Sequence, residues 1–204
     1  MRLDHIAYRV KSRDKAVDFF MKAFGYKFQA EFEIFFNDEK TDKALCIALE
    51  PPEKTLSIAE FASHTIYTEF PEEPTVEMHL APEIFVSEGT EGSIVGNWVK
   101  ARGNIGGIHH LAYMVNSVEK KKKEWLEKGW GDFSSEKAFK CEDLTQIFSK
   151  PHELTGVIYE FIERHVHSDG HSRGFCKDNV KQLMMSTADK DIMQKVALDK
   201  NIKG

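Results

Sequence analysis

Cysteine is scarce in this chain of 204 residues, and the three that occur, Cys46, Cys141 and Cys176, are odd in number and widely separated. No two of them have the Cys-x-x-Cys spacing of a structural zinc site, and three scattered thiols do not suggest a disulfide framework. This usage argues against a small secreted scaffold. It fits a reducing compartment best, so we expect a cytoplasmic protein.

Excess positive charge and long apolar runs are also missing. The formal net charge is −5 at pH 7, which gives no attraction to nucleic acid or anionic lipid, so neither is expected as a partner. No run approaches the roughly 20 apolar residues of a membrane span, and the residues after Met1 lack the apolar stretch of a signal peptide. The remaining composition, 41% hydrophobic and 30% charged, is typical of a globular protein with one sizeable core.

One segment of the sequence occurs twice. His5-Ile-Ala-Tyr-Arg-Val-Lys-Ser12 returns as His110-Leu-Ala-Tyr-Met-Val-Asn-Ser117. Each copy alternates like a strand and is followed by an amphipathic helix that begins after a serine and ends at a glycine, Gly25 or Gly129. Two copies of one unit predict two similar modules, about 1–100 and about 104–165, within one domain 1–204.

Further elements are predicted after each helix. The expected strands are 26–36, 44–49 and 84–87 in the first copy and 133–139, 144–149 and 157–163 in the second. The proline-containing stretch 50–82 is expected to cross the surface. Asp178 or Asn179 is expected to cap a last helix, over about 174–200.

Two histidines and one glutamate form a candidate metal site. His5 and His110 are equivalent in the repeat, and alternation places His5 on one face with Ala7 and Arg9, and His110 on one face with Ile108 and Ala112. Glu160 lies between isoleucines on a late strand, where burial of a carboxylate is costly unless a cation accompanies it. A single histidine on an apolar strand is usually an ordinary core residue, but this combination predicts a metal with open coordination positions.

Several motifs resemble the 4-hydroxyphenylpyruvate dioxygenase family. Its closing motifs are similar to Asp143-Leu-Thr-Gln146-Ile-Phe148-Ser-Lys-Pro151, Tyr159-Glu160-Phe-Ile-Glu-Arg164 and Gly174-Phe175-Cys-Lys-Asp-Asn179-Val180. Its two histidine strands and the strand between them are similar to Leu3-Asp4-His5-Ile6, Gly107-Ile-His-His110-Leu-Ala112 and Ile84-Phe-Val-Ser87-Glu88. The resemblance covers most of the chain, in the same order and spacing. It implies membership of the vicinal oxygen chelate superfamily, an α+β fold in which two βαβββ modules pair into a half-barrel around a metal.

The resemblance also implies an activity. His5, His110 and Glu160 would be the ligands of non-haem Fe(II) in a dioxygenase that acts on a small-molecule 2-oxo acid, which binds the iron through its carboxylate and keto oxygens. A C-terminal helix would close over the site like a lid, and a homodimer is compatible with this reading. Gln146 would be a catalytic polar contact. The substrate-binding residues would be Ser87, Gln146, Phe148, Phe175 and Asn179.

The sequence departs from that family around the substrate. His109 stands where the family has a glutamine, Ser87 where it has an asparagine, and Val180 where it has a phenylalanine. A substrate-contacting glutamine near 95–97 is also missing. These changes imply a different substrate more than a lost metal, because polar contacts in a site strongly select what binds there.

Two other readings stay open. Gly92-Ser-Ile-Val-Gly-Asn-Trp98, leading into the second histidine strand, resembles methylmalonyl-CoA epimerase, which like glyoxalase I adds a fourth ligand, Glu or Gln, on the last strand of the first module. That position aligns with Phe85, or with Glu83 or Glu88 if the register slips, and the metal would then be Zn, Co, Mn or Ni. The third reading is a non-catalytic binding module of the bleomycin-resistance type, against which the retained metal ligands argue.

Overall fold

The structure is a computed structural model that describes residues 1–52, 56–57, 77–78, 81–165 and 174–188. Most of the expected surface stretch 50–82, and the part of the expected last helix beyond 188, therefore lie outside the described residues. None of the described helices is both long and apolar enough to cross a membrane.

Ten strands and four helices form in the described parts of the chain. In order they are β1 Arg2–Arg9, α1 Arg13–Phe24, β2 Lys27–Phe35, β3 Lys43–Glu50, β4 Leu56–Ser57, β5 Glu77–Met78, β6 Glu83–Gly89, α2 Ile94–Ala101, β7 Gly107–Met114, α3 Val118–Glu127, β8 Phe139–Lys140, β9 Leu144–Phe148, β10 Ile158–Arg164 and α4 Lys177–Ser186.

Eight strands make one mixed sheet in the order β2-β3-β6-β1-β7-β10-β9-β8, and β4 pairs with β5 separately. The order is symmetric about the contact between β1 and β7, which run antiparallel, while β6 and β10 each pair in parallel with the first strand of their own half. We call β1, α1, β2, β3 and β6 the first half, and β7, α3, β8, β9 and β10 the second half. The predicted α+β fold of two paired βαβββ units in a half-barrel is confirmed.

Two β-bulges interrupt the pairing of β1 with β7. The pairing passes from Leu3 directly to His5 on β1, so that Asp4 is the extra residue, and it passes from His110 to Ile108 on β7, so that His109 is the extra residue. A bulge re-aims the side chains beside it. The expectation that His110 shares a face with Ile108 is therefore wrong: Ile108 is 43% exposed, whereas both histidines are buried.

The helix ends agree in part with the sequence. Gly25 ends α1 with φ +75°, a left-handed conformation that glycine adopts without strain. The first backbone N–H of α1, at Arg13, donates to the Glu88 carboxylate rather than to a serine hydroxyl. Ser117 caps α3 by accepting from the Lys120 N–H, as expected.

Two predicted features are wrong or incomplete, and one helix was not predicted. The N-cap of α4 is Cys176, so that Asp178 and Asn179 lie inside the first turn and do not cap the helix. The expected strand 133–139 is reduced to an isolated bridge at Phe133 and to the two residues of β8. Helix α2, which begins after a capping Ser93, was not predicted at all.

Helix α4 lies across the concave side of the sheet. It packs against β2 of the first half and against β8 and β9 of the second half. Its buried residues Val180, Leu183 and Met184 join the apolar side chains of the sheet. A cavity lies between this helix and the sheet, and the side chains of the central strands point into it.

Candidate metal centre

Three side chains of metal-ligand type meet at the centre of the sheet. His5 on β1, His110 on β7 and Glu160 on β10 are all buried. The two imidazole Nε2 atoms are 3.3 Å apart, and Glu160 Oε2 lies 3.2 Å from His5 Nε2 and 3.0 Å from His110 Nε2. Ligand atoms that bind one divalent ion at about 2.1 Å and at right angles lie about 3.0 Å from one another. In the described parts of the chain no other three such side chains converge in this way.

Each bulge residue bonds the imidazole that follows it. Asp4 Oδ1 accepts from His5 Nδ1 at 3.0 Å, and His109 Nδ1 lies 2.8 Å from His110 Nδ1. A carboxylate has no proton to donate, so a His5 proton sits on Nδ1, and in the neutral form of the ring Nε2 then has a free lone pair, as metal-binding histidines require. When His109 accepts the other bond, His110 Nε2 is free in the same way. Two lone pairs and a carboxylate oxygen at these distances repel one another unless a cation lies between them, so the donor set fits a metal.

The electrostatics of the site favour one positive charge among the three ligands. Burial lowers the pKa of His5, but the Glu160 and Asp4 carboxylates outweigh it and raise this pKa to about 9. Burial raises the pKa of Glu160, and the two imidazoles outweigh it and lower this pKa to about 2. Burial lowers the pKa of His110, so this ring is neutral, the form in which histidine binds metals. A metal ion would replace the His5 proton.

A buried arginine holds Asp4 in place. Arg164 donates from Nε and Nη2 to the two Asp4 carboxylate oxygens, at 2.9 and 2.8 Å, and from Nη1 to the Gly174 carbonyl at 2.9 Å. Burial would raise the pKa of Asp4, but Arg164 and His5 hold it well below its usual range. The carboxylate that orients His5 is thus ionised and fixed from two sides.

The three ligands open into the cavity under α4, which encloses about 420 Å³, part of it open to solvent. Three phenylalanines surround the ligands: the ring centre of Phe148 is 4.5 Å from His110, that of Phe175 is 4.9 Å from His5, and Phe85 lies 5.0 Å from Phe175. Because these rings cover the ligands, the cavity beside them is largely apolar.

The structure places most of the substrate-binding residues predicted from the sequence at this cavity. Ser87, Gln146, Phe148 and Phe175 line it. Ser87 Oγ donates to the Tyr8 carbonyl at 3.2 Å, whereas Gln146 Oε1 is buried and has no hydrogen-bond partner among the described residues. Asn179 is buried in α4 but is not among the lining residues.

The sequence predicted no role for one cavity residue, Arg9, and an incomplete role for another, His109. Arg9 lines the cavity; alternation had placed it on the His5 face, which was the available signal. His109 also lines the cavity, as its place beside His110 suggested, but its bond to that ring depends on the bulge. Each copy of the repeat has two consecutive polar residues at the bulge, Asp4-His5 in the first and His109-His110 in the second. This pair is the feature of the sequence that marks the two bulges.

The register of the sheet identifies the position of a fourth ligand. In the second half Glu160 pairs with Ala112, and in the first half Phe85 pairs with Ala7, the residue equivalent to Ala112 in the repeat. Phe85 therefore occupies the place that Glu160 occupies in the other half.

The two acidic neighbours of Phe85 on β6 are committed elsewhere. Glu83 accepts from Gln29 Nε2 at 2.9 Å and lies 3.8 Å from the Arg164 guanidinium, and Glu88 accepts from the backbone of α1. A register slip that would bring either carboxylate to the ligand position has not occurred. The described site therefore offers three candidate protein ligands.

The sequence matches one family model, described as the Glyoxalase/Bleomycin resistance protein/Dioxygenase superfamily, over residues 2–132. The chain belongs to this superfamily. The superfamily's name joins two classes of enzyme with a class of resistance proteins, so membership leaves the reaction of this member undecided. No curated protein matches the sequence.

Solved structures of this superfamily fold include proteins with different reactions. A methylmalonyl-CoA epimerase is 18% identical, with 81% of this chain and 96% of that chain covered and a TM-score of 0.56. The epimerase of Mycobacterium tuberculosis is 19% identical, with 80% and 88% covered and a TM-score of 0.54. A variant of 4-hydroxymandelate synthase from Streptomyces coelicolor is 17% identical, with 92% of this chain but only 53% of that chain covered and a TM-score of 0.64. At such identities the likeness is one of fold.

Proposed function

We propose that this chain is a non-haem Fe(II) dioxygenase that acts on a 2-oxo acid. The observation that carries the proposal is the set of two imidazoles and one carboxylate at 3.0–3.3 Å, with Phe85 at the register position of a fourth ligand. Two histidines and one carboxylate on one face of a metal, with the other positions open, are typical of Fe(II) oxygenases. The similarity to the fold of 4-hydroxymandelate synthase is consistent with it.

Each part of the site has a separate task in this proposal. Bound iron would supply Lewis acidity and a redox couple. His5, His110 and Glu160 would hold it, and Asp4 and His109 would keep both Nε2 atoms free of protons. The three phenylalanine rings would exclude water. Gln146, whose amide oxygen is buried and unpaired, would contact a donor group of the substrate.

The alternative function is a metal-dependent epimerase or isomerase. The fold likeness to two methylmalonyl-CoA epimerases supports it as much as the fold likeness to 4-hydroxymandelate synthase supports the first proposal. Such a reaction needs a base beside the substrate. Glu160 is the one carboxylate among the cavity-lining residues, and burial lowers the pKa of His109 well below its usual range, which makes it a weak base. The cavity therefore favours oxygen chemistry.

Oxygen uptake tests the proposal directly. Protein loaded anaerobically with Fe(II) is mixed with a panel of aromatic and aliphatic 2-oxo acids, and consumption of oxygen and release of carbon dioxide are measured together. We expect equal amounts of both with at least one acid. His110→Ala should abolish iron binding and turnover, whereas His152→Ala, which removes a histidine outside the cavity, should change neither.

Two results would reject the dioxygenase. Iron-loaded protein that consumes no oxygen with any acid, yet exchanges the C2 proton of (2R)-methylmalonyl-CoA in deuterated water, would establish the epimerase instead. Wild-type protein that binds no divalent metal would reject both enzymes and favour a binding module of the bleomycin-resistance type.

A further inference from the structure

The cavity contains a buried positive charge that the metal site does not use. Arg9 is 2% exposed and lines the cavity. Among the described residues its Nη1 has no hydrogen-bond partner, and its Nη2 makes one long contact of 3.5 Å, to Thr187 Oγ1. The guanidinium carbon lies 5.9 Å from the Trp98 ring centre. Within the described ranges no carboxylate lies at salt-bridge distance from it.

A second buried arginine, Arg164, differs from Arg9 because its charge is paired with a carboxylate. Arg164 bonds both oxygens of Asp4 and a backbone carbonyl, while in the described part of the chain the one hydrogen-bond partner of the Arg9 guanidinium is the neutral Thr187 hydroxyl. The Cys46 thiol close to Arg9 supplies no charge, because burial raises its pKa to about 12. A buried charge without a partner is strongly unfavourable. Arg9 lines the cavity, so a ligand in the cavity is placed to supply the missing anion.

The position of Arg9 relative to the metal ligands defines the ligand's two ends. Arg9 and His5 project from the same side of β1, four residues apart, so their Cα atoms are about 13 Å apart at the rise of an extended strand. The Arg9 guanidinium carbon and the centre of the His109 ring lie 5.9 and 5.8 Å from the centre of the Trp98 ring, so both groups contact the same side chain. Ala7, Phe85 and Phe148 line the cavity with them. The cavity thus has metal ligands and a cation at separate points, with apolar walls.

We propose that Arg9 binds a carboxylate at the end of the substrate remote from the metal, so that the preferred substrates are 2-oxo dicarboxylic acids. The inference rests on the proposed function in one respect, that the 2-oxo acid group is the end held at the metal. A guanidinium binds a carboxylate through two parallel hydrogen bonds. Arg9 is the one arginine or lysine among the cavity-lining residues, and one positive charge balances one carboxylate better than a doubly charged phosphate.

Matched ligands test this assignment without turnover. 2-Oxopentanoate and 2-oxopentanedioate differ only in a terminal methyl or carboxylate, as do 2-oxohexanoate and 2-oxohexanedioate. Their affinities are measured by calorimetry on protein loaded with redox-inactive Zn(II) and on metal-free protein. In at least one pair we expect the dicarboxylate to bind at least about tenfold more tightly than the matching monocarboxylate.

Variants of Arg9 locate the source of the preference. Arg9→Gln should remove the roughly tenfold preference and leave the affinity for the monocarboxylate within about threefold, while Arg9→Lys should keep part of the preference. Lys100→Gln, which removes the same charge from a side chain that is 69% exposed, should behave like wild type.

The outcomes separate this inference from the proposed function. If wild-type protein prefers neither dicarboxylate, the inference fails, and this result needs no variant to fold. A preference that survives in Arg9→Gln also overturns it, because the anion then binds elsewhere. If the preference depends on Arg9 but no acid supports oxygen uptake, the Arg9 site stands and the dioxygenase proposal fails. If oxygen uptake occurs with monocarboxylates and Arg9→Gln leaves every affinity unchanged, the dioxygenase proposal stands and the Arg9 site fails.

Discussion

The two halves of the sheet have the same strand order and register but differ at the residues that decide the metal site. At the bulge before each histidine the first half has Asp4 and the second half has His109. On the neighbouring parallel strand the first half has Phe85 and the second half has Glu160. Each half therefore contributes one imidazole and one carboxylate, but the carboxylates stand at different positions: Asp4 orients a candidate metal ligand, and Glu160 is itself a candidate ligand.

This comparison separates what the repeat determines from what single residues determine. The repeat determines where side chains converge, since both bulges and both ligand strands are equivalent. The residue at each of these points determines the number of ligands and the charge around them. A phenylalanine in place of a second glutamate leaves a three-ligand site with an apolar wall, and it does so without a change in backbone pairing.

The largest effect is expected from loss of the second half's carboxylate. In Glu160→Ala two neutral imidazoles are left as ligands, so the affinity for Zn(II) should fall by more than the roughly 10–100-fold that follows loss of a ligand's own hydrogen-bond partner. Competition titration with a chromophoric chelator measures the affinity, and circular dichroism checks the fold. Wild-type affinity in this variant would show that the three side chains do not share one ion.

The equivalence of the halves can be tested in the same background. Phe85→Glu combined with Glu160→Ala moves the carboxylate to the matching position of the first half. Because Phe85 and Glu160 share one register position, the double variant should bind Zn(II) more tightly than Glu160→Ala alone. Equal affinities for the two variants would mean that the pseudo-symmetry of the backbone does not extend to the ligand position.

Loss of the first half's orienting carboxylate should have the next largest effect. Asp4→Asn weakens the bond that fixes the His5 ring, so metal affinity should fall by about 10–100-fold. It also leaves the buried Arg164 without its hydrogen-bonded anion, which should lower the free energy of unfolding by about 3 kcal/mol. Chemical denaturation measures the second effect, with the exposed Asp18→Asn as control. An Asp4→Asn variant with wild-type stability and wild-type metal affinity would show that Asp4 does not contribute to the site.

The smallest effect is expected at the equivalent position of the second half. His109→Gln keeps an acceptor for His110 Nδ1 and removes no net charge, so metal affinity should fall by less than about tenfold. His109→Leu, which offers no acceptor, should cost more. The order Asp4→Asn, His109→Leu, His109→Gln follows from the charge and hydrogen-bonding capacity of each bulge residue. If His109→Gln proves as damaging as Asp4→Asn, His109 has a role beyond orienting the ring.

The strands and the convergence of the candidate metal ligands were predictable from the sequence because both depend on short periods and on a close repeat. β1 and β7 were found within one or two residues, and His5, His110 and Glu160 meet as expected. The bulges were not predicted, because a one-residue shift in pairing leaves no period of its own. The role of Asp4 was missed for that reason.

Other differences arose where tertiary contacts outweigh local pattern. The segment 133–139 has few apolar residues in its middle, and Ser134 bonds Ser186 of α4 at 2.9 Å instead of extending the sheet. Arg9 showed no special pattern on its strand. Its importance lies in the absence of an anion among the described residues around it, and no single-sequence pattern reveals which buried donors lack partners.

The antiparallel contact between β1 and β7 has a consequence for the order of assembly. His5 belongs to the first half, and its nearest ligand neighbour His110 comes 105 residues later, with Glu160 later still. During synthesis the first half leaves the ribosome with one imidazole and no partner, so an ion can be captured only after the central strands have joined. If the site binds a metal, as proposed, capture of the ion would mark the completion of folding, and its binding energy would stabilise the joined halves rather than either half alone.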